Sequence, residues 1–295
     1  MRRIQPLLFF AFAAIAACST TRANTMDHAD HDSDVSSATA VSVPQSSSLP
    51  APVEEARTRL AASTRHGEWV MVPAGADSVR AWVVYPERKT KAPVVVVVHE
   101  IFGLTPWIRA IADQLAAEGF IAIAPDLLTS KNLPNATDSV PQNLATAAIA
   151  TLNANDVQRQ LLATANYAMS LPAAVKRYGI IGFCWGGGVS FEHAVRSPSL
   201  GASVVYYGTS PKTESLAAVK APVLGLYAGN DARVGATVPA ADSTMRALGK
   251  AFTVHSYEGA GHGFVRQQSA TTANLSATQK SWPEAVAWFH RYLGG

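Results

Sequence analysis

The 295-residue sequence predicts an α/β protein with a mostly parallel central sheet and helices on both faces. Three observations point there. Segments with strand and helix character alternate from about residue 66 to the end, which implies parallel strands joined by crossover helices. Val94 to Val98 is a run of five valines, as expected of a strand buried on both faces. The composition, 48% apolar and 15% charged, supplies a substantial core.

The elements follow in order. Glu68–Val72 and Val79–Tyr85 read as strands joined by a turn near Gly75, and the valine run is the next strand. Pro106 to Glu118 has helical spacing through Ile108, Ile111, Ala112 and Leu115, with proline in its first turn and Gly119 beyond its end. Phe120–Ala124 is a strand closed by Pro125-Asp126, and the Ala/Leu-rich stretch from about 141 to 170 is mostly helical. Tyr178–Ile181 is a strand and Gly186–Val195 a helix. Val204–Tyr207 and Val223–Tyr227 are strands, 237–248 a helix, Phe252–Tyr257 a strand and Trp282–Leu293 the closing helix.

Ahead of this domain the composition changes. Arg2 and Arg3 precede an apolar run of eleven residues, Leu7 to Ala17, too short to span a bilayer. The run ends in Ile15-Ala16-Ala17-Cys18, which resembles the bacterial lipobox and implies cleavage before Cys18 and lipidation of its thiol. The alternative is an ordinary signal peptide cut nearby, for instance after Ala23. Residues 1–18 are thus expected to be a signal peptide, 19–64 a disordered Ser/Thr/Pro/Asp-rich tether, and 65–295 the folded domain, with a short helix over 54–62 as one variant. The expected location is the bacterial cell envelope, facing the periplasm and leaning to the outer membrane, with the lipid as the sole membrane contact. Asp27-His28-Ala29-Asp30-His31-Asp32 reads as solvated linker before it reads as a metal site.

Net charge is +3, and loss of Arg2 and Arg3 leaves 22 basic against 21 acidic residues. No basic run is long enough to follow a phosphate backbone, so nucleic acid is not an expected partner. A monomer acting on a small molecule is expected. The chain has two cysteines, and if Cys18 carries lipid, Cys184 has no intramolecular partner. A lone thiol in an oxidising compartment is either a small buried hydrophobe or a group with a chemical task.

The surroundings of Cys184 favour the task. Gly182-Phe183-Cys184-Trp185-Gly186 lies between a predicted strand and a predicted helix, in the pattern of a nucleophile elbow. Such a turn needs small residues two positions either side of the nucleophile, and a helix N-terminus favours thiolate. A thiol nucleophile needs a base, and the base an orienting carboxylate. His262 in Gly261-His262-Gly263 and Asp231 in Gly229-Asn230-Asp231 each follow a predicted strand. The order nucleophile, acid, histidine is that of α/β-hydrolases. Backbone N–H groups of Ile101 and Trp185 are the candidate oxyanion donors. His99-Glu100 has Gly103 where a zinc-protease helix would place its second histidine, which excludes that motif. Glu100 either repels a thiolate or accepts the thiol proton.

Residues 66 to 293 resemble the dienelactone hydrolase family. The likeness rests on His99-Glu100-Ile101-Phe102-Gly103-Leu104, Ala124-Pro125-Asp126-Leu127, Gly182-Phe183-Cys184-Trp185-Gly186-Gly187, Tyr206-Tyr207-Gly208, Gly229-Asn230-Asp231 and Gly261-His262-Gly263-Phe264. The resemblance implies an α/β-hydrolase fold, a Cys184–His262–Asp231 triad, activation of the thiol with help from Glu100, and Arg266 as a holder of a substrate carboxylate. A second family arginine, expected after Pro125-Asp126-Leu127, is replaced here by nothing closer than Lys131. The implied activity is hydrolysis of a small ester or lactone, of the carboxymethylenebutenolidase kind, without cofactor or metal. Phe102, Trp107, Trp185 and Phe264 either line a pocket for a small or aromatic acyl group or belong to the core. Other readings are a thioesterase or peptidase on the same triad, a redox-sensing thiol, and a non-catalytic envelope binding module.

Overall fold

The computed structural model describes residues 48–134 and 140–294. The predicted signal peptide, Cys18 and most of the tether therefore lie outside the described residues. Eight strands form one sheet in the order β1-β2-β4-β3-β5-β6-β7-β8. They are β1 (Gly67–Ala74), β2 (Asp77–Val84), β3 (Ala92–Val98), β4 (Ile121–Pro125), β5 (Ala174–Phe183), β6 (Ala202–Tyr206), β7 (Val223–Ala228) and β8 (Phe252–Tyr257). Antiparallel pairing is confined to β1–β2 and β2–β4, and every other pair is parallel. The expected α/β-hydrolase architecture is the observed one.

The valine run shows why the sheet is central. All seven residues of β3 are buried. Val95 and Val97 pack on one face, with Ile108 and Ile111 of α2 (Pro106–Ala117) and Phe289 of α8 (Thr272–Leu293). Val94, Val96 and Val98 pack on the other, with Leu161 of α4 (Ala154–Ser170), Phe191 of α5 (Trp185–Arg196) and Met245 of α7 (Val238–Ala247). Each fully buried valine contributes about 1.5–3 kcal/mol relative to exposure, so a one-residue slip of this strand is prohibitively costly.

One expectation is refined and two need correction. The helical stretch 141–170 is two helices, α3 (Gln142–Ile149) and α4, because Asn153 caps the second: its side-chain oxygen accepts from the N–H groups of Asn155 and Asp156. The closing helix begins at Thr272, ten residues before the predicted start. Thr271 caps it and Pro283 sits inside it, where tertiary burial of Leu275, Trp282 and Phe289 outweighs the missing proline N–H.

The third concerns the tether. Its last part is folded: Leu49, Ala51 and Ala56 are buried, and α1 (Ala56–Ala62) packs beside α2. The Trp107 indole N–H donates to the Ala51 carbonyl at 3.0 Å, and Gln268 Nε2 donates to the Pro50 carbonyl at 2.8 Å. The folded domain therefore starts by Leu49. No helix among the described residues is long and apolar enough to cross a membrane.

Candidate active site

Parallel strands deliver their loops to one edge of the sheet, and the predicted catalytic residues all arrive there. Cys184 sits between β5 and α5 with φ 56° and ψ −119°, a conformation L-residues rarely adopt. The turn closes tightly. A Cβ on Gly182 would lie 1.9 Å from the Gly186 carbonyl oxygen, and one on Gly186 would lie 2.4 Å from that of His99. Only glycine fits either position. The Cys184 N–H donates to the Tyr206 carbonyl at 3.1 Å, and its own carbonyl accepts from Gly187 at 3.0 Å. These bonds hold the strained residue in place.

Asp231 follows β7 and His262 follows β8. The His262 Nδ1–H donates to Asp231 Oδ2 at 2.5 Å, while Asp231 Oδ1 accepts from the Val234 N–H at 3.2 Å. The second bond fixes the carboxylate that orients the ring. His262 also hydrogen-bonds Cys184, so thiol, imidazole and carboxylate form one chain. Burial lowers the basicity of His262, but its bonds to Asp231 and Cys184 and their charges outweigh this and raise its pKa to about 10. Burial likewise opposes the charge of Asp231, and the hydrogen bond and charge of His262 hold its pKa below the ordinary value.

Register brings the two oxyanion candidates together. Val98 of β3 pairs with Gly182 of β5. Ile101 lies three residues past the first and Trp185 three past the second, at the same sheet edge. Trp185 is the first residue of α5, where backbone N–H groups point out of the helix end. Its ring stacks on His99 at 5.6 Å. Burial lowers the pKa of His99 and keeps it neutral, and its Nδ1–H donates to the Glu100 carbonyl at 2.7 Å.

Glu100 is buried, and its pKa is pushed up to about 7 by burial, with Arg266 and His262 pulling the other way. Arg266 Nε lies 3.4 Å from Glu100 Oε2, an ion pair but a loose one. Arg266 also lies over the Phe102 ring at 4.9 Å. Any anion that reaches Arg266 competes with Glu100 for it.

Phe102, Trp107 and Arg266 border a cavity of about 360 Å³, near the low end of the roughly 300–1,000 Å³ typical of small-molecule sites. Phe264 does not line that cavity. It is fully buried behind the site, edge-on to Tyr206, Tyr207 and Tyr257, so its expected substrate contact is replaced by a core role. Trp107 is buried too, its ring against Phe183 at 5.1 Å, and it forms cavity floor more than contact surface. Lys131 is not among the residues around the cavity.

Sequence reasoning placed Tyr207 in a segment of the family resemblance but gave it no role. Its φ is +39°, it is fully buried, and its ring meets that of His262 edge-on at 5.2 Å. Burial, together with the charges of Glu100 and Cys184, holds its hydroxyl firmly protonated. The tyrosine pair ahead of Gly208 at a strand end was the available signal. Among the described residues no three His, Cys, Asp or Glu side chains are grouped to hold a metal ion.

Comparison with known proteins bears on the family and the fold. The family model described as the dienelactone hydrolase family matches residues 79–293. A protein of Escherichia coli K12, named for carboxymethylenebutenolidase activity, is 32% identical over 235 residues, spanning 76% of this chain and 86% of its own. A dienelactone hydrolase structure from Klebsiella pneumoniae superposes with a TM-score of 0.69 at 28% identity, over 78% of this chain and all of that one. A dienelactone hydrolase-like promiscuous phosphotriesterase from metagenomic libraries, 22% identical with a TM-score of 0.66 over 79% of this chain and all of its own, shares the fold.

Proposed function

The chain belongs to the dienelactone hydrolase family, and from that premise we propose that it hydrolyses small carboxylic esters or lactones through an acyl-enzyme on Cys184. The observation that carries this reading is the continuous Cys184–His262–Asp231 chain with its 2.5 Å inner bond, on an elbow that only Gly182 and Gly186 permit.

His262, whose raised pKa keeps its ring protonated at neutral pH, holds the proton while the Cys184 sulfur attacks the carbonyl carbon as thiolate. The N–H groups of Ile101 and Trp185 hold the oxygen that becomes negative, each worth roughly 3 kcal/mol in the transition state. Collapse of the tetrahedral intermediate expels the alkoxide, which takes the proton back from His262. In a lactone the leaving alkoxide stays tethered to the acyl group. His262 then deprotonates water, which attacks the thioester and releases the acid and free Cys184. Asp231 keeps the ring in one tautomer throughout. Glu100 provides a second proton acceptor beside the site: with its pKa near 7 it is partly ionised at neutral pH, and an anionic substrate that engages Arg266 loosens its ion pair.

The lipobox-like run supports export and anchoring through Cys18. Incorporation of radiolabelled palmitate into the full chain, lost in Cys18→Ala, tests that part. The activity is tested by incubating the full chain with p-nitrophenyl acetate and a panel of small lactones, beside Cys184→Ala. Turnover that disappears in the variant is the expected result, and equal turnover in both rejects Cys184 as nucleophile. The full chain is needed because truncation near residue 60 removes the buried Leu49, Ala51 and Ala56.

A further inference from the structure

The strand of chain from Leu49 to Ala62 lies ahead of residue 79, where the match to the family begins. It nevertheless reaches a cavity that meets the site at Arg266, the ion-pair partner of Glu100; neither Cys184 nor His262 lines that cavity. Val53, Glu54 and Arg57 line the cavity of about 360 Å³ together with Phe102, Leu128 and Arg266.

This segment is fastened on both sides of that cavity. On one side the Trp107 indole holds the Ala51 carbonyl at 3.0 Å. On the other, the Val53 N–H donates to the Arg266 carbonyl at 2.9 Å, Gln268 Nε2 donates to the Pro50 carbonyl at 2.8 Å, and the Ser269 hydroxyl donates to Glu54. Arg266, Gln268 and Ser269 belong to the same loop as His262. Burial of Leu49, Ala51 and Ala56 pins the segment beneath these bonds. A group that pushed Val53 outward would have to break its bond to Arg266 and expose this apolar surface.

We propose that residues Leu49–Ala62 are a specificity-determining wall of the site, with Val53 limiting the acyl part of the substrate to short aliphatic or single-ring groups. The proposal rests on the reading of the cavity as the seat of the acyl group. The Val53 side chain acts by contact with that group, while its backbone N–H, which any substitution but proline keeps, holds the Arg266 carbonyl. A wall on that side works against long-chain acyl esters.

The test compares the full chain with Val53→Ala and Val53→Trp on p-nitrophenyl esters from acetate to decanoate and on the benzoate. Val53→Trp is expected to lower kcat/KM for benzoate and hexanoate by roughly 10- to 100-fold while acetate changes by less than about threefold, the discrimination a few methylene-sized clashes produce. Val53→Ala is expected to move the optimum to longer chains. An acyl-length profile common to all three proteins overturns the proposal even if the Cys184 activity stands.

A second readout does not depend on turnover. The rate of Cys184 alkylation by N-methylmaleimide and N-benzylmaleimide is measured in each protein. Val53→Trp should slow the benzyl reagent selectively, and an unchanged ratio of the two rates rejects the wall. Thermal unfolding of each variant establishes that it is folded, and Val53→Phe replaces Val53→Trp if the larger ring prevents folding.

Discussion

His193 and His262 are histidines of one protein whose charges are treated in opposite ways. His193, fully buried on α5, donates its Nδ1–H to Gln158 Oε1 at 2.7 Å and accepts from the Tyr178 hydroxyl at 3.1 Å. Both partners are neutral, and burial takes its pKa down to about 4. His262 meets a carboxylate and a thiol instead, and its pKa rises to about 10 although burial opposes this too. The shelter is common to both; the charged partners are not. A buried histidine with neutral partners is a structural clamp, here joining α4, α5 and β5. One with Asp231 and Cys184 is held as a cation at neutral pH, with the proton beside the thiol.

The largest effect is expected from erasing the difference at the site. Asp231→Asn should lower kcat on the order of 10⁴-fold, because the amide no longer fixes the tautomer or balances the imidazolium. The His262 titration, followed by NMR, should fall by several units toward that of His193. A kcat within tenfold of wild type contradicts the role given to Asp231. The converse exchange is Gln158→Glu, which gives His193 a carboxylate. Its pKa should rise from about 4 to above the ordinary 6.5, and a value that stays near 4 would mean that burial alone sets it.

Stability against pH sharpens the comparison further. The His193 pKa is depressed, so its contribution is present above pH 6.5 and is lost as pH falls through about 4, by about 3 kcal/mol. The His262 pKa is raised, so its contribution is fully present below pH 6.5 and is lost as pH rises through about 10. Urea midpoints measured from pH 3 to 11 should show His193→Asn flattening the acid limb and Asp231→Asn flattening the alkaline one. Glu100 gives the smallest effect. Its raised pKa costs stability as pH climbs from 4.5 through about 7. Glu100→Gln should recover about 1–2 kcal/mol of that loss at pH 8, less than the full shift because Arg266 loses its partner. No gain at pH 8 contradicts the burial assigned to Glu100.

Features that depend on neighbouring residues were readable in the sequence. The valines of β3 must be buried on both faces wherever they sit. Gly182 and Gly186 are demanded by the turn itself, and the order Cys184, Asp231, His262 follows from one loop after another at a single sheet edge. In the segment Leu49–Ala62 the short helix was readable, but its docking on the folded domain was not. Its Pro, Ala, Glu and Arg content suits a solvated tether, and its anchoring partners Trp107 and Gln268 lie 56 and 218 residues from the carbonyls they hold. The burial of Phe264 and the place of Tyr207 beside His262 also depend on how distant loops meet. The early start of α8 was hidden by the mixed polar run Thr272–Ser281 before Trp282, which becomes helical through packing.

The central claim is that Cys184 carries the acyl group. The most direct measurement quenches the full chain in acid during turnover of p-nitrophenyl acetate and maps the added acetyl mass by peptide mass spectrometry. The account predicts acetyl on the peptide containing Cys184, absent from Cys184→Ala and accumulating in His262→Ala only far more slowly. Acetyl on a serine, or undiminished turnover by Cys184→Ala, would contradict it.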